Sequence, residues 1–333
     1  MSVNASLQSS GFTHELGAHN RRTRLVTRLA MLLDPLFFLL TLACAASIVA
    51  ITVLLVHQLY VHSVESRNAL GWNFLIGQNW DPVAGDFGAL PFIFGTIVTS
   101  IIALLIAAPL GIATAVFLAE MAPPRLSRLM AFLIDLLAAV PSVIYGLLGI
   151  FLLAPFLTKV VVPPLQKALG FLPIFSGPFY GVSLFTACIV LAVMVVPFIV
   201  SISREVLLSV PRDQREASFA LASTHWETVW RVVLPQARRG IYASVFLALA
   251  RALGETMAVT MVIGNTPQIA KSLFAPGYTI AAVVANEFTE ATGDLYLSAL
   301  IELGLVLFVV TIVINGLSRL LIHATTGGHD HHG

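Results

Sequence analysis

Charge is scarce in this chain. Of 333 residues, 18 are Lys or Arg and 17 are Asp or Glu, 11% in all, where a soluble domain carries about 25%. Hydrophobic residues make up 58%, and the mean hydropathy is +0.91. A soluble globular fold is excluded, and the chain reads as an integral membrane protein. Cysteine is nearly absent: Cys44 and Cys188 both fall in apolar segments and read as small hydrophobes, not as a disulfide or a metal site. No Gly-x-x-x-x-Gly-Lys-Ser/Thr run exists, so this chain cannot hold ATP phosphates in such a loop. No polar block is large enough for an ATPase or a solute-binding domain. No convincing internal repeat is visible, which disfavours an inverted-repeat carrier. A cleavable signal peptide is not expected, because the first apolar run starts only near Leu36 and is long enough to span. Arg21 and Arg22 then serve as a topology anchor. No metal site is expected either, and His329, His331 and His332 read as an exposed tail end.

What is present is six apolar stretches, 35–60, 90–119, 126–156, 179–202, 241–264 and 298–322. Each can cross about 30 Å of hydrocarbon, and each must be a helix to satisfy its own backbone. The expected fold is an all-α membrane protein with a cytoplasmic tail at 1–33, a transmembrane domain at 34–322 and a second tail at 323–333. Pro109, Pro141 and Pro197 lie inside these stretches and imply kinks or broken helices. One set of connecting segments holds Arg21, Arg22, Arg24, Arg28, Arg125, Arg128, Arg204, Arg212, Arg215, Arg231, Arg238, Arg239 and Arg319. The opposite set holds only Arg67, Lys159, Lys167 and Lys271. The Arg-rich side is cytoplasmic, so both termini lie inside. External loops are expected at 61–89, 157–178 and 265–297.

Arg251 and Glu255 stand out inside the fifth stretch. A charge at mid-membrane costs roughly 2.5–3.5 kcal/mol on insertion scales, and ionisable groups at that depth usually mark a pathway or a relay. Four residues apart on one helix, the two would share a face. The alternative is a buried pair that neutralises itself, or one made to another subunit. Ser142 and Tyr145, just past Pro141, either offer groups to a substrate or merely finish a kink. Thr96, Thr99 and Ser100 are similarly ambiguous, since small hydroxyl residues often just help membrane helices pack. Asp135 and Glu302 lie near span ends and are expected to reach water. Glu287, Glu290 and Asp294 are expected to form a solvated rim or to contact a delivery protein.

The cytoplasmic segment 203–240 carries its own helical signals. Pro211 opens one helix, and Asp213 and Glu216 favour its first turns. Thr224 with Glu227 matches a capping box for a second helix, which Pro235 is expected to stop. Two short helices facing the cytosol form either a docking surface or an amphipathic hairpin on the lipid.

Glu216-Ala217-Ser218, then Ala222, then Val232-x-Leu234-Pro235 resembles the cytoplasmic EAA loop of ABC importer permeases. Ser218 and Ala222 depart from that pattern, which has Ala and Gly there. A Cβ at 222 is expected to rule out a backbone that only Gly adopts. The run from Arg251 to Val259 and the tripeptide Ile263-Gly-Asn265 resemble the phosphate-specific, PstC-type branch of that family. So do 139–146, the entry to the second span with Gly95-Thr96, and 203–211. The resemblance covers residues 70–322. It implies a type I ABC importer permease fold and no enzyme activity in this chain. Phosphate would pass Arg251, Glu255, Thr96, Ser142 and Tyr145. Residues Glu216, Ala217, Ser218, Ala222, Leu234 and Pro235 would couple to the ATPase. The implied partners are a PstA-type permease subunit, a PstB-type dimer carrying ATP and Mg, and an extracytoplasmic PstS-type phosphate-binding protein. No nucleic acid is expected. A permease for sulfate or molybdate, a proton-coupled carrier titrating Glu255, and a sensory subunit remain open.

Overall fold

A computed structural model describes residues 34–326. The terminal arginines 21–28 and the closing histidines lie outside the described residues. Among these residues, five helices are long and apolar enough to cross a membrane, or six if one bent pair counts as a span. The chain falls into two units that divide after Gln58. Helix α1 (Asp34–His62) is exposed over its first unit apart from the half-buried Val56.

The second unit continues with α2 (Val64–Leu70), α3 (Leu90–Met121), α4 (Pro124–Ala138), α5 (Ser142–Leu169) and α6 (Leu184–Leu208). Then come α7 (Arg212–Ala220), α8 (His225–Leu253), α9 (Met257–Ile263), α10 (Ile280–Glu287) and α11 (Asp294–Thr326). Helix α6 is the central post. Within its most apolar window 67% of residues are buried, against 28% for α3, α5 and α11. It packs on α3, α4, α8 and α9. Gly111 lets α3 approach closely, because a Cβ there would meet Ile199 at 2.8 Å.

The third apolar stretch is not one helix. Val140-Pro141 breaks it, and the piece that qualifies as a span starts at Ser142 and runs through Leu169. Proline disfavours helical geometry at the residue before it and removes a donor. The expected external loop 157–178 is therefore largely helix.

Among the described residues, four π-helical stretches each end two residues before a proline. They are Phe117–Met121 before Pro123, Gly149–Leu153 before Pro155, Leu157–Val161 before Pro163, and Val229–Val233 before Pro235. Proline lacks an N–H and its ring meets the carbonyl four residues back. A widened turn moves that carbonyl away. Pro235 consequently does not stop its helix: α8 runs unbroken from the cytoplasmic loop into the membrane. Gly240 lies inside it, against Val206 of α6.

The outer face is built from the loops. A small hairpin pairs β1 (Trp80–Asp81) with β2 (Asp86–Phe87), the one departure from an all-helical fold among the described residues. Glu287 does not belong to a solvated rim. It accepts from Trp80 Nε1 at 2.8 Å and from the Tyr296 hydroxyl at 2.7 Å. Glu302 does not reach water either, being 6% exposed. Asp135 is exposed and accepts from Ser201 at 2.9 Å.

Candidate functional site

Two helix breaks lie side by side within the fold. One is at Pro141, between α4 and α5. The other is at Gly254–Thr256, where α8 and α9 meet at a bend of 62°. Gly146 and Gly149 bring α5 against α9: a Cβ on Gly146 would meet Met261 Sδ at 2.6 Å, and one on Gly149 would meet Val262 at 2.7 Å. The contacts advance together along both helices, so α5 and α9 run parallel from neighbouring starts. The Tyr145 hydroxyl donates to Leu137 O at 2.8 Å and so ties α5 to the end of α4. Ser142 is half-buried at the first turn of α5.

Arg251 sits in the last turn of α8, exposed on the surface of the single chain. Its guanidinium lies 5.7 Å from the centre of the Phe198 ring. Phe198 is near the middle of the 25-residue α6, so Arg251 is near mid-membrane. It is also within electrostatic range of Tyr145. Glu255 is not on the same helix. It falls in the break, and its Oε1 accepts from Ala258 N at 3.2 Å, capping α9. No ion pair joins Arg251 and Glu255 among the described residues. The expected shared face is lost because Gly254 ends α8 between them.

Thr96 is buried and fully engaged. Its hydroxyl donates to Phe92 O at 2.7 Å and accepts from Ile280 N at 3.0 Å. Gly95 beside it admits the backbone of Tyr278. The Gly95-Thr96 pair thus seats α10 on α3. In the same way Gly264 (φ 94) and Asn265 (φ 46) turn the chain after α9, and Asn265 Nδ2 donates to Thr260 O at 3.0 Å. Left-handed backbone explains why those two residue types end that helix.

On the cytoplasmic side the capping box of Thr224 and Glu227 is formed in both directions. Ser218, where the resembled pattern has Ala, bonds Thr228 at 3.0 Å and stitches α7 to α8. Ala222 takes φ 61, so the turn has a left-handed backbone that a residue with a Cβ still reaches, at some cost. Glu216, Ala217, Ala222 and Pro235 are exposed, and Leu234 is half-buried. Phe219 (45% exposed), Leu221 (83%), Trp226 (61%) and Trp230 (60%) project from the same region. Beneath them, Arg215 Nη2 meets Glu120 Oε1 at 2.7 Å and Leu207 O at 2.9 Å, joining α7 to the ends of α3 and α6. Sequence reasoning missed this pair and Phe198. A lone carboxylate at the cytoplasmic end of a span facing an Arg-rich loop was the available signal for Glu120.

Residues 107–326 match the family model described as binding-protein-dependent transport system inner membrane component. The phosphate transport system permease protein PstC of Mesorhizobium japonicum is 46% identical over 303 residues, covering 89% of this chain and 93% of that one. The PstC of Pasteurella multocida is 46% identical over 264 residues, covering 78% and 82%. Among solved structures, a bacterial alginate ABC transporter in complex with an alginate pentasaccharide-bound periplasmic protein matches at TM-score 0.58, with 16% identity and 87% and 95% coverage. The MetNI methionine ABC transporter, inward facing, matches at TM-score 0.51, with 16% identity and 71% and 94% coverage. At those identities the likeness speaks for the fold alone, that of ABC importer permeases. The chain is a multi-pass inner-membrane permease subunit and not an enzyme, and it belongs to the binding-protein-dependent transport system inner membrane component family, in its PstC branch.

Proposed function

We propose that this chain is the membrane-spanning subunit of an ATP-driven inorganic phosphate importer and that Arg251 meets the anion during each cycle. The observation that carries the proposal is the placement of Arg251: a permanent cation at mid-depth, exposed on the chain's own surface and next to two helix breaks. A guanidinium fork matches two oxygens of a tetrahedral oxyanion. The start of α5 adds the positive end of a helix at the same level, as broken membrane helices do for anions. Conduction needs binding weak enough to release. Closing the break at Gly254 would bring positions 251 and 255 onto one helix face, where Glu255 would compete for Arg251 and expel the anion.

Ser142 and Tyr145 belong to this reading as residues that line and brace the start of α5. Thr96 supports it from outside, by seating α10. The second half of the path would come from a PstA-type permease subunit covering the exposed Arg251 face. Phe219, Leu221, Trp226 and Trp230 would dock on a PstB-type dimer that binds ATP and Mg. A PstS-type protein would deliver phosphate to the outer loops.

The test is uptake of radiolabelled phosphate by Arg251→Gln in the assembled complex. Uptake should fall at least a hundredfold with insertion and ATPase assembly unchanged. Near-normal uptake would overturn the proposal. Competition by sulfate or molybdate, and collapse of the proton gradient with ATP maintained, separate this reading from the oxyanion and proton-coupled alternatives.

A further inference from the structure

We propose that a cavity between α2, α3 and the outer half of α11 binds one phospholipid with a primary ammonium headgroup, phosphatidylethanolamine. The cavity measures about 590 Å³. Its walls are apolar, from Leu75, Ile93, Leu305, Val306 and Val309, and two charged groups line it, Arg67 and Glu302. Such walls suit an acyl chain, but they do not explain the charges.

Glu302 is 6% exposed, and its Oε2 has no hydrogen-bond partner. The Ser66 hydroxyl, 0% exposed, lies beside the carboxyl and interacts with it as a side-chain donor, which leaves Oε2 unmet. Buried polar groups are nearly always satisfied, and a buried carboxylate needs donors. A carboxylate oxygen without a donor in the wall of this cavity therefore calls for a ligand that donates hydrogen bonds. An ammonium has three N–H donors.

Arg67 supplies the complement. Its guanidinium stacks on the Tyr60 ring at 3.8 Å, and Nε donates to Ser63 O at 3.4 Å. Nη2 donates to Tyr60 O, and Nη1 has no partner among the described residues. That arrangement leaves one edge of the fork for a phosphodiester. Glu302 is eight residues into α11 from Asp294, roughly 12 Å at 1.5 Å per residue, a depth in the outer leaflet. Trp72 at the rim is 84% exposed, where a membrane-interface anchor belongs. A free phosphate ion would be repelled by Glu302 and gain nothing from the apolar walls. A choline lipid has the same tails and phosphate but no N–H to give.

The experiment compares two photoactivatable lipids. The full-length chain in its assembled complex is reconstituted in vesicles of phosphatidylglycerol and phosphatidylethanolamine, or of phosphatidylglycerol and phosphatidylcholine. Each carries a trace of the matching headgroup with a diazirine in its acyl chain. Adducts are then mapped by mass spectrometry. Labelling at 305–310 should be about tenfold greater for the ethanolamine lipid, and Glu302→Gln should bring the ratio near one. Equal labelling of the unaltered chain by both lipids would overturn the proposal, as would a cross-link from this groove to another protein chain. So would a tenfold preference that survives in a folded Glu302→Gln protein. The headgroup comparison in the unaltered chain decides the matter even if the variant fails to fold.

Discussion

Ala222 holds a left-handed backbone at φ 61, and the strain belongs to its methyl group. A Cβ in that region costs roughly 1–2 kcal/mol, while Ala lowers unfolded-chain entropy relative to Gly by roughly 0.4–1 kcal/mol. Ala222→Gly should therefore stabilise the chain by about 0.5 kcal/mol, read as a higher denaturant midpoint of the purified protein. A lower midpoint would mean the turn is relaxed. Thr96 makes the opposite case. Thr96→Val removes the acceptor for Ile280 N and leaves a buried amide orphaned, at roughly 1–3 kcal/mol. The melting temperature should drop while the KM for phosphate stays unchanged. A raised KM with normal stability would return Thr96 to the substrate path.

At the scale of elements, the joints matter more than the helices. Arg215 fastens α7 to α3 through Glu120 and to α6 through Leu207 O. A push on α7 must then reach α6, which carries Phe198 beneath Arg251. Arg215→Lys keeps the charge but loses the fork. Phosphate moved per ATP hydrolysed should fall several-fold, with ATP hydrolysis retained. The exchanged pair, Glu120→Arg with Arg215→Glu, should recover part of the loss. Uptake and hydrolysis falling in proportion would make the pair merely structural. The prolines act at this scale too. Pro141 breaks a span, whereas Pro235 is absorbed by a π turn and leaves the cytoplasmic helix rigidly continuous with the fifth span. Sequence alone does not separate the two outcomes, because both prolines remove a donor and only the surrounding packing selects a widened turn over a break.

For the whole molecule, the feature to explain is Arg251, exposed near mid-depth beside the Phe198 ring. A cation at that depth is costly, which fits the proposal that a second permease chain and the passing anion complete its surroundings. Arg251→Cys in a Cys44→Ala background should react with a membrane-impermeant thiol reagent from one side without nucleotide, and from the other when ATP is trapped. Cys188 is buried and stays silent. Reaction in neither state would end the proposal that this group meets the anion during the cycle.

Composition and the long apolar runs were enough to establish a helical membrane protein, though not where the third span breaks and begins, and the family was legible in the motifs. Greasy runs must be helices in lipid, and the motifs at 216–235 and 251–265 are local. Arg251 stood out in the sequence because a charge inside an apolar run is costly, and its role rests on the proposal above. The surroundings of Glu255, Thr96 and Glu302 were not legible there. Whether a carboxylate faces its neighbour on the helix, caps the next half-helix or lies buried without a partner depends on where the chain breaks and what packs there. Those are contacts between residues far apart in sequence, and only the assembled fold brings them together.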